Sequence, residues 1–361
     1  MQPYNNDEIL VECIRDGLTD ETHSGFVLYG NKNEIKNIKG DSGDYPFYLR
    51  SCAKPLQAAL LIDYGADEFY DLTLDEIAIC SASHAGERVH TDIVEKILDK
   101  IGLDESYLKC GLHEPLSKTR QYEMKVNNEK LTQVYNNCSG KHAMMLGLCK
   151  MNGWDLKTYD DINHPLQIKI RKKINELCEI KKEYPITKDG CGVPIFSMPL
   201  KNILKGYLNL FCDNKYFKIR QAFLNYPYLI GGEDRTDTKI MFLNKSGDWR
   251  VKSEELSFID NYLNTINTEK FEITNLCNFS TLHSPLSNLN IIAKVGAGGL
   301  CVVVNTEKEE GFIVKISDCD MSARELAVME MLNKLNWCNI NINKTLKTLH
   351  GDTVGAKIVN L

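Results

Sequence analysis

Ser51-Cys52-Ala53-Lys54 lies at the mouth of an apolar stretch, YLRSCAKPLQAALLIDYG, that reads as a helix. A serine and a lysine three residues apart share one helix face. There an unprotonated amine can take the serine proton, leaving an oxygen able to attack an amide carbonyl at neutral pH. Pro55 confines both residues to the very start of the helix, because proline is tolerated only in the first turn. Helix N-termini point N–H donors and positive potential outward, which suits a nucleophile placed there. Alone, the four-residue pattern recurs by chance and favours a serine cap beside a solvated lysine.

Further segments carry chemically capable residues. ICSASHAGERVH crowds Ser81, Ser83, His84, Glu87 and His90 behind EIAIC, which reads as a strand or a buried run. Ser83 offers a second hydroxyl for proton relay; by itself the segment fits a capped helix start with satisfied histidines. NNCSGKHAMM sets Cys138 three residues from Lys141, with His142 adjacent, and KDGCGVP puts Asp189 and Cys191 in a Gly-flanked loop. Two thiolates and a histidine can bind a metal, yet the spacing matches no standard zinc pattern, and spacing alone favours buried thiols.

GGEDRTDT packs Glu233, Asp234, Arg235 and Asp237 behind two glycines. An arginine fork grips a carboxylate and a neighbouring acid holds an ammonium, so the pair could read an α-amino acid. A solvated charged loop is the plain alternative. In IIAKVGAGG, Lys294 interrupts an apolar strand, a place for lysine only where the strand lines a cleft. Lys-x-Gly on a sheet edge, downstream of Ser-x-x-Lys, is also the order found in Ser-Lys acyl-transferases.

These groups need a scaffold. ILVECIR and GFVLYGNKNEIKNIKG alternate and are rich in β-branched residues, with a turn at Asn31-Lys32-Asn33. Near the other end, NLNIIAKVGAGGLCVVVNTEKEEGFIVKISD reads as three antiparallel strands. Between the ends the pattern is helical: Val94, Ile97, Leu98 and Ile101 share a face, with Thr91 as the expected N-cap, and GKHAMMLGLCKMNGW and HPLQIKIRKKINELC follow suit. Val328, Met331, Leu332 and Leu335 form a stripe on a last helix expected to lie on the sheet. The expected fold is therefore α+β: one antiparallel sheet from both termini (1–50 and 289–361) with a largely helical subdomain (51–288) inserted, forming one catalytic unit over 1–361. The site should lie in the cleft between the two parts. Residues 242–288, rich in Asn, Ser and Thr, read as a long excursion with some helix near EELSFIDNYLNTI.

Composition narrows the function. The 361 residues carry a net charge of -6 and no Lys/Arg block, so nucleic acid is not an expected partner. No apolar run is long enough to span a membrane, and MQPYNNDEIL is too polar for a secretory signal. Thirteen cysteines, odd in number and without paired spacing, suit a reducing cytoplasm better than a disulfide framework. Most are expected to be buried apolar residues.

RSCAKPLQ, SASHAGE, CGLHEP, NNCSGKHA, KDGCGVP, GGEDRTDT and AKVGAGGL occur in that order from about Glu12 to Lys315. Together they resemble the rhizobial-type L-asparaginases, the asparaginase II family, distinct from the threonine-nucleophile enzymes. The resemblance implies a serine β-lactamase and penicillin-binding-protein-like fold and hydrolysis of the L-asparagine side-chain amide to L-aspartate and ammonia. It implies two Ser-Lys pairs, Ser51 with Lys54 and Ser83 with Lys294. It implies zinc held by Cys138, Lys141 and Cys191, with Lys141 neutral, as burial and a nearby cation favour. A homodimer is also implied. Arg50 or Arg235 is expected on the substrate carboxylate and Glu233 or Asp237 on its ammonium, with His84 and Asp189 nearby. The chain departs from the family between Thr238 and Lys294, which is longer than usual. The alternatives are a β-lactamase-like hydrolase of other small amides or esters, and a non-catalytic amino-acid binder or zinc-holding protein.

Overall fold

Alternating apolar residues at both chain ends build one sheet in a computed structural model that describes residues 6–243 and 290–361. The strands are β1 (Glu8–Arg15), β2 (Leu18–Asn31), β3 (Ile35–Lys39), β4 (Phe47–Tyr48), β5 (Ile186–Lys188), β6 (Pro194–Met198), β7 (Ile291–Gly296), β8 (Leu300–Asn305), β9 (Glu310–Ile316), β10 (Thr345–Lys347) and β11 (Thr353–Val359). Eight of them form the main sheet in the order β10-β11-β1-β2-β9-β8-β7, with β3 also paired to β2. Every pairing is antiparallel, including β1 with β11 (Val11 opposite Val359) and β2 with β9 (Leu28 opposite Ile313).

β7 and β8 are buried along their whole length because both faces of the sheet are covered. Ile292, Val302, Val304 and Ile313 face a large core shared with the helices. Ile291, Ala293, Val295, Val303 and Val314 face a second core closed by helix Met321–Lys334. That helix presents Val328, Met331 and Leu332 to the sheet, and the Asp320 carboxylate caps it by accepting from Ala323 N.

The helical part is organised around helix Ala53–Asp63, in which every residue from Ala53 to Leu61 is buried. A helix apolar all round must be packed on all sides. Against it pack helices Leu74–Ser81, Ser139–Asn152, Pro165–Leu177 and Leu200–Phe211, and helix Arg88–Lys100 packs on the first two of these. β4, β6 and β5 add a small three-stranded sheet to this part.

Local expectations change in two places. EIAIC is helical, not a strand: Thr73 and Glu76 form a reciprocal capping box that starts the helix just before it. Helix Arg88–Lys100 begins at Glu87 rather than Thr91, because Glu87 and His90 form the box and Thr91 Oγ1 instead donates to Arg88 O at 3.0 Å. The excursion 244–289, with its expected helix near EELSFIDNYLNTI, lies outside the described residues. Among the described residues all cysteines are free thiols and no helix is long and apolar enough to cross a membrane.

Candidate active site

A tight turn delivers Ser51. Residues Arg50–Cys52 form a 3₁₀ turn that runs directly into helix Ala53–Asp63. Arg50 has φ +48°, a left-handed conformation that non-glycine residues hold only when their surroundings enforce it. β7 presses against this turn from the sheet side. A Cβ on Gly296 would lie 2.9 Å from Leu49 O and 3.1 Å from Cys52 Sγ, so only glycine lets the strand come so close.

Ser83 arrives from the segment between helices Leu74–Ser81 and Arg88–Lys100, held by Ser83 N donating to Ile230 O at 3.0 Å. The two hydroxyls meet, with Ser51 Oγ 3.2 Å from Ser83 Oγ. Asn137, just ahead of helix Ser139–Asn152, ties them to the first lysine. Its Nδ2 donates to Ser83 Oγ at 3.0 Å, and its carbonyl accepts from Lys54 Nζ at 2.8 Å.

The serines and lysines therefore share one neighbourhood, but not through the expected direct bonds. Among the described residues neither serine is hydrogen-bonded to a lysine. Lys54 is drawn to the Asn137 carbonyl, and Lys294 to Asp237 Oδ2 at 2.7 Å. Burial brings Lys54 down to about 8, the Cys138 sulfur opposes this, and the charges of Lys141 and Lys294 add to it. On the order of a tenth of the amine is then neutral at pH 7, far more than for an ordinary lysine.

Asp237 differs from its expected role. It is fully buried in helix Thr236–Phe242, and Oδ2 also accepts from Val295 N at 3.3 Å. Burial opposes its charge, but Lys294 and Arg235 outweigh this and hold the carboxyl below its usual range. Its charge is spent on Lys294 rather than offered to a substrate ammonium. Arg235 Nε lies 4.0 Å from the other oxygen, Asp237 Oδ1. Arg235 also lines a cavity of about 630 Å³ with Arg324, Glu325 and Met321, on the side of the second core.

His84 is likewise enclosed. It pairs through Nε2 with Ser139 Oγ at 3.0 Å and accepts from Gly86 N through Nδ1, and burial keeps it neutral. Glu233 accepts from Ser117 Oγ at 3.0 Å and from Thr119 Oγ1 at 3.2 Å. Its backbone N donates to Glu87 Oε1 at 3.0 Å, and Tyr228 Oη donates to Glu87 Oε2 at 2.5 Å. Burial raises Glu87 to about 7. Gly232, at φ +98°, makes this junction possible; a Cβ there would sit 2.5 Å from Glu87 Oε1.

The thiols converge as expected. Cys138, Cys191 and Asp189 bring their donor atoms within 4.8 Å of one another, and Lys141 Nζ donates to Cys191 Sγ at 3.1 Å. A hydrogen bond from Cys138, helped by the Lys141 charge, lowers Cys191 to about 5 despite burial, whereas that bond and burial push Cys138 up to about 12. Burial opposes charge on Lys141, but the sulfurs of Cys191 and Cys138 outweigh it and raise its pKa. Two buried sulfurs and a carboxylate this close fit a thiophilic dication such as zinc. Asp189 also pairs with Arg50, Nε to Oδ1 at 3.1 Å, linking the thiol cluster to the Ser51 turn.

Two contributors went unassigned from sequence. Asn137 was visible as the residue before Cys138, but nothing local showed its side-chain amide on Ser83 and its main-chain carbonyl on Lys54. Tyr228 carries no motif; its link to Glu87 spans 141 residues.

Residues 11–252 and 278–358 match the family model described as L-asparaginase II. The unmatched stretch falls within the segment that reads as longer than usual. No curated relative matches the chain. Solved structures give distant likenesses. A β-lactamase from Mycobacterium bovis is 12% identical at TM-score 0.36, with 86% of this chain and 95% of that one covered. A simvastatin synthase variant from Aspergillus terreus is 12% identical at TM-score 0.31, with 86% and 91% covered. With the family model spanning both ends of the sheet and the Ser51, Ser83, Cys138, Cys191 and Lys294 segments, the chain belongs to the L-asparaginase II family.

Proposed function

We propose that this hydrolase cleaves the side-chain amide of L-asparagine to L-aspartate and ammonia through an acyl-enzyme on Ser51. The observation that carries this reading is the Ser51–Ser83 hydroxyl contact at 3.2 Å, with Asn137 joining Ser83 to Lys54. Neutral Lys54 takes the Ser51 proton as the oxygen attacks the amide carbon. Ser83 passes its proton to the departing nitrogen and receives the proton held by Lys54, so ammonia leaves, Lys54 is neutral again and an ester remains on Ser51. Water then attacks the ester, gives its proton back along the same route, and releases aspartate. Lys294, held by Asp237 Oδ2 at 2.7 Å, is engaged in that pair and is not used as a second base.

Arg50 grips the substrate carboxylate in this reading, which its half-exposed side chain next to Ser51 in sequence and its anchor on Asp189 support. Cys138 and Cys191, with Asp189 or Lys141, would hold zinc, which would supply positive charge and rigidity next to Lys54. A homodimer is the proposed assembly, to be checked by sedimentation.

The test is ammonia release from L-asparagine by the purified chain and by Ser51→Ala. Turnover lost in S51A, with a mass increase on Ser51 trapped in acid-quenched wild type, supports the reading. Rapid turnover of esters or other amides with none of asparagine would overturn the substrate, and full activity of S51A would overturn the nucleophile.

A further inference from the structure

A second cluster of donors lies far from this site, on the opposite flank of the main sheet. β1 and β2 are antiparallel neighbours with Cys13 opposite Glu21, and His23 follows two residues along β2, on the same face. The thiol, a carboxylate oxygen and a ring nitrogen all lie within 4.8 Å of one another. β2, β9 and β8 separate β1 from the strand that bears Lys294.

The histidine is already oriented. Its Nδ1 meets Asp318 Oδ2 at 2.7 Å, and its Nε2 is 3.8 Å from Glu21 Oε2. A carboxylate on one ring nitrogen fixes the tautomer and turns the other lone pair outward, the usual arrangement behind a metal-bound histidine. The Cys13 thiol is buried at 3% exposure, while Glu21 is mostly exposed and free to swing inward. Tetrahedral zinc needs donors roughly 3.3–3.8 Å apart, a contraction that one exposed glutamate can supply. Lys357, opposite Cys13, is turned aside to donate to Ser322 Oγ at 2.8 Å.

The geometry points to a metal site formed by Cys13, Glu21 and His23, with Asp318 behind the histidine and a fourth position open to water. A thiolate and a carboxylate neutralise a dication, and the mixed sulfur and nitrogen donors select zinc-like ions over magnesium or calcium. Bound there, the ion clips the β1–β2 hairpin to the turn that precedes helix Met321–Lys334. It is a structural site, remote from the proposed hydrolysis.

The test is titration of the chelator-stripped full-length protein with cobalt(II), followed by absorption and by metal analysis after dialysis. In Cys138→Ala/Cys191→Ala one cobalt per chain should remain, with the thiolate-to-cobalt band of a single sulfur, and adding His23→Ala should abolish it. In the otherwise intact protein, H23A should bind one equivalent fewer than wild type, keep its asparagine turnover, and lose the rise in melting temperature that zinc gives. Equal stoichiometry and equal zinc-dependent stabilisation in wild type and H23A would overturn the site, whether or not the double cysteine variant folds.

Discussion

Two lysines are buried near the serines, and the protein treats them oppositely. Lys294 has a carboxylate of Asp237 at 2.7 Å, with both side chains fully buried. Lys54 has only the carbonyl of Asn137 at 2.8 Å and, among the described residues, no ion-pair partner. A buried ammonium without a counter-charge is costly and sheds its proton; one beside a carboxylate keeps it. One residue type is thus held by a carbonyl on the helix and by a carboxylate on the sheet, and the proposed mechanism uses only the first as a proton acceptor. The difference lies in which neighbours the fold supplies.

The largest expected effect breaks the comparison from the Lys54 side. Lys54→Met should reduce asparagine turnover by about 10²–10⁴-fold, the range for loss of a general base, with little change in melting temperature. A retained rate would remove Lys54 from the proton path.

Asp237→Asn probes the other side. It leaves the Lys294 ammonium buried beside a neutral amide and should cost about 3–5 kcal/mol of stability in denaturant titrations. Lys294→Met in the same chain should recover part of that loss. Additive losses in the double-mutant cycle would show that the two groups are not energetically coupled.

Glu87 is a third buried charge, intermediate between the two. Its carboxylate has hydrogen bonds from Tyr228 and Glu233 N but, among the described residues, no ion-pair partner, and burial raises it from the usual glutamate value to about 7. The folded chain therefore keeps a proton that the unfolded chain has released. This favours folding at low pH and is lost as pH rises from about 4.5 to 7. Glu87→Gln should gain on wild type across that window by about 3 kcal/mol at most. A stability difference that does not change with pH would show that Glu87 ionises as if exposed.

The smallest effect is a pH profile. If Lys54 must be neutral, turnover should climb about tenfold per pH unit below its transition and level off above about 8. A flat profile from pH 6 to 9 would reassign the base.

Sequence reading recovered the sheet from two ends and the order of the motif segments, since alternation, Pro55 and turn residues are local signals. It also brought Cys138 and Cys191 together, through resemblance rather than spacing. What it could not show depends on long-range contacts. Asp237 in GGEDRTDT looks like a substrate contact until helix Thr236–Phe242 is packed on β7, 57 residues away in sequence from Lys294. His84, expected near the substrate, is buried with its Nε2 on Ser139 Oγ, a partner 55 residues away. Thr91 is a better N-cap than Glu87 by residue type, and loses because Glu87 and His90 satisfy the helix start between them.

The antiparallel pairing of β2 with β9 sets a schedule for the newborn chain. At roughly 5–20 residues per second, ribosomal synthesis leaves the N-terminal hairpin waiting on the order of 15–60 seconds for its C-terminal neighbours. Throughout that interval the helical portion emerges before the platform it rests on exists, and one flank of β2 stays unpaired. Maturation of this enzyme is thereby tied to the last part of translation, which makes loss of its C-terminal strands more damaging than their distance from Ser51 suggests.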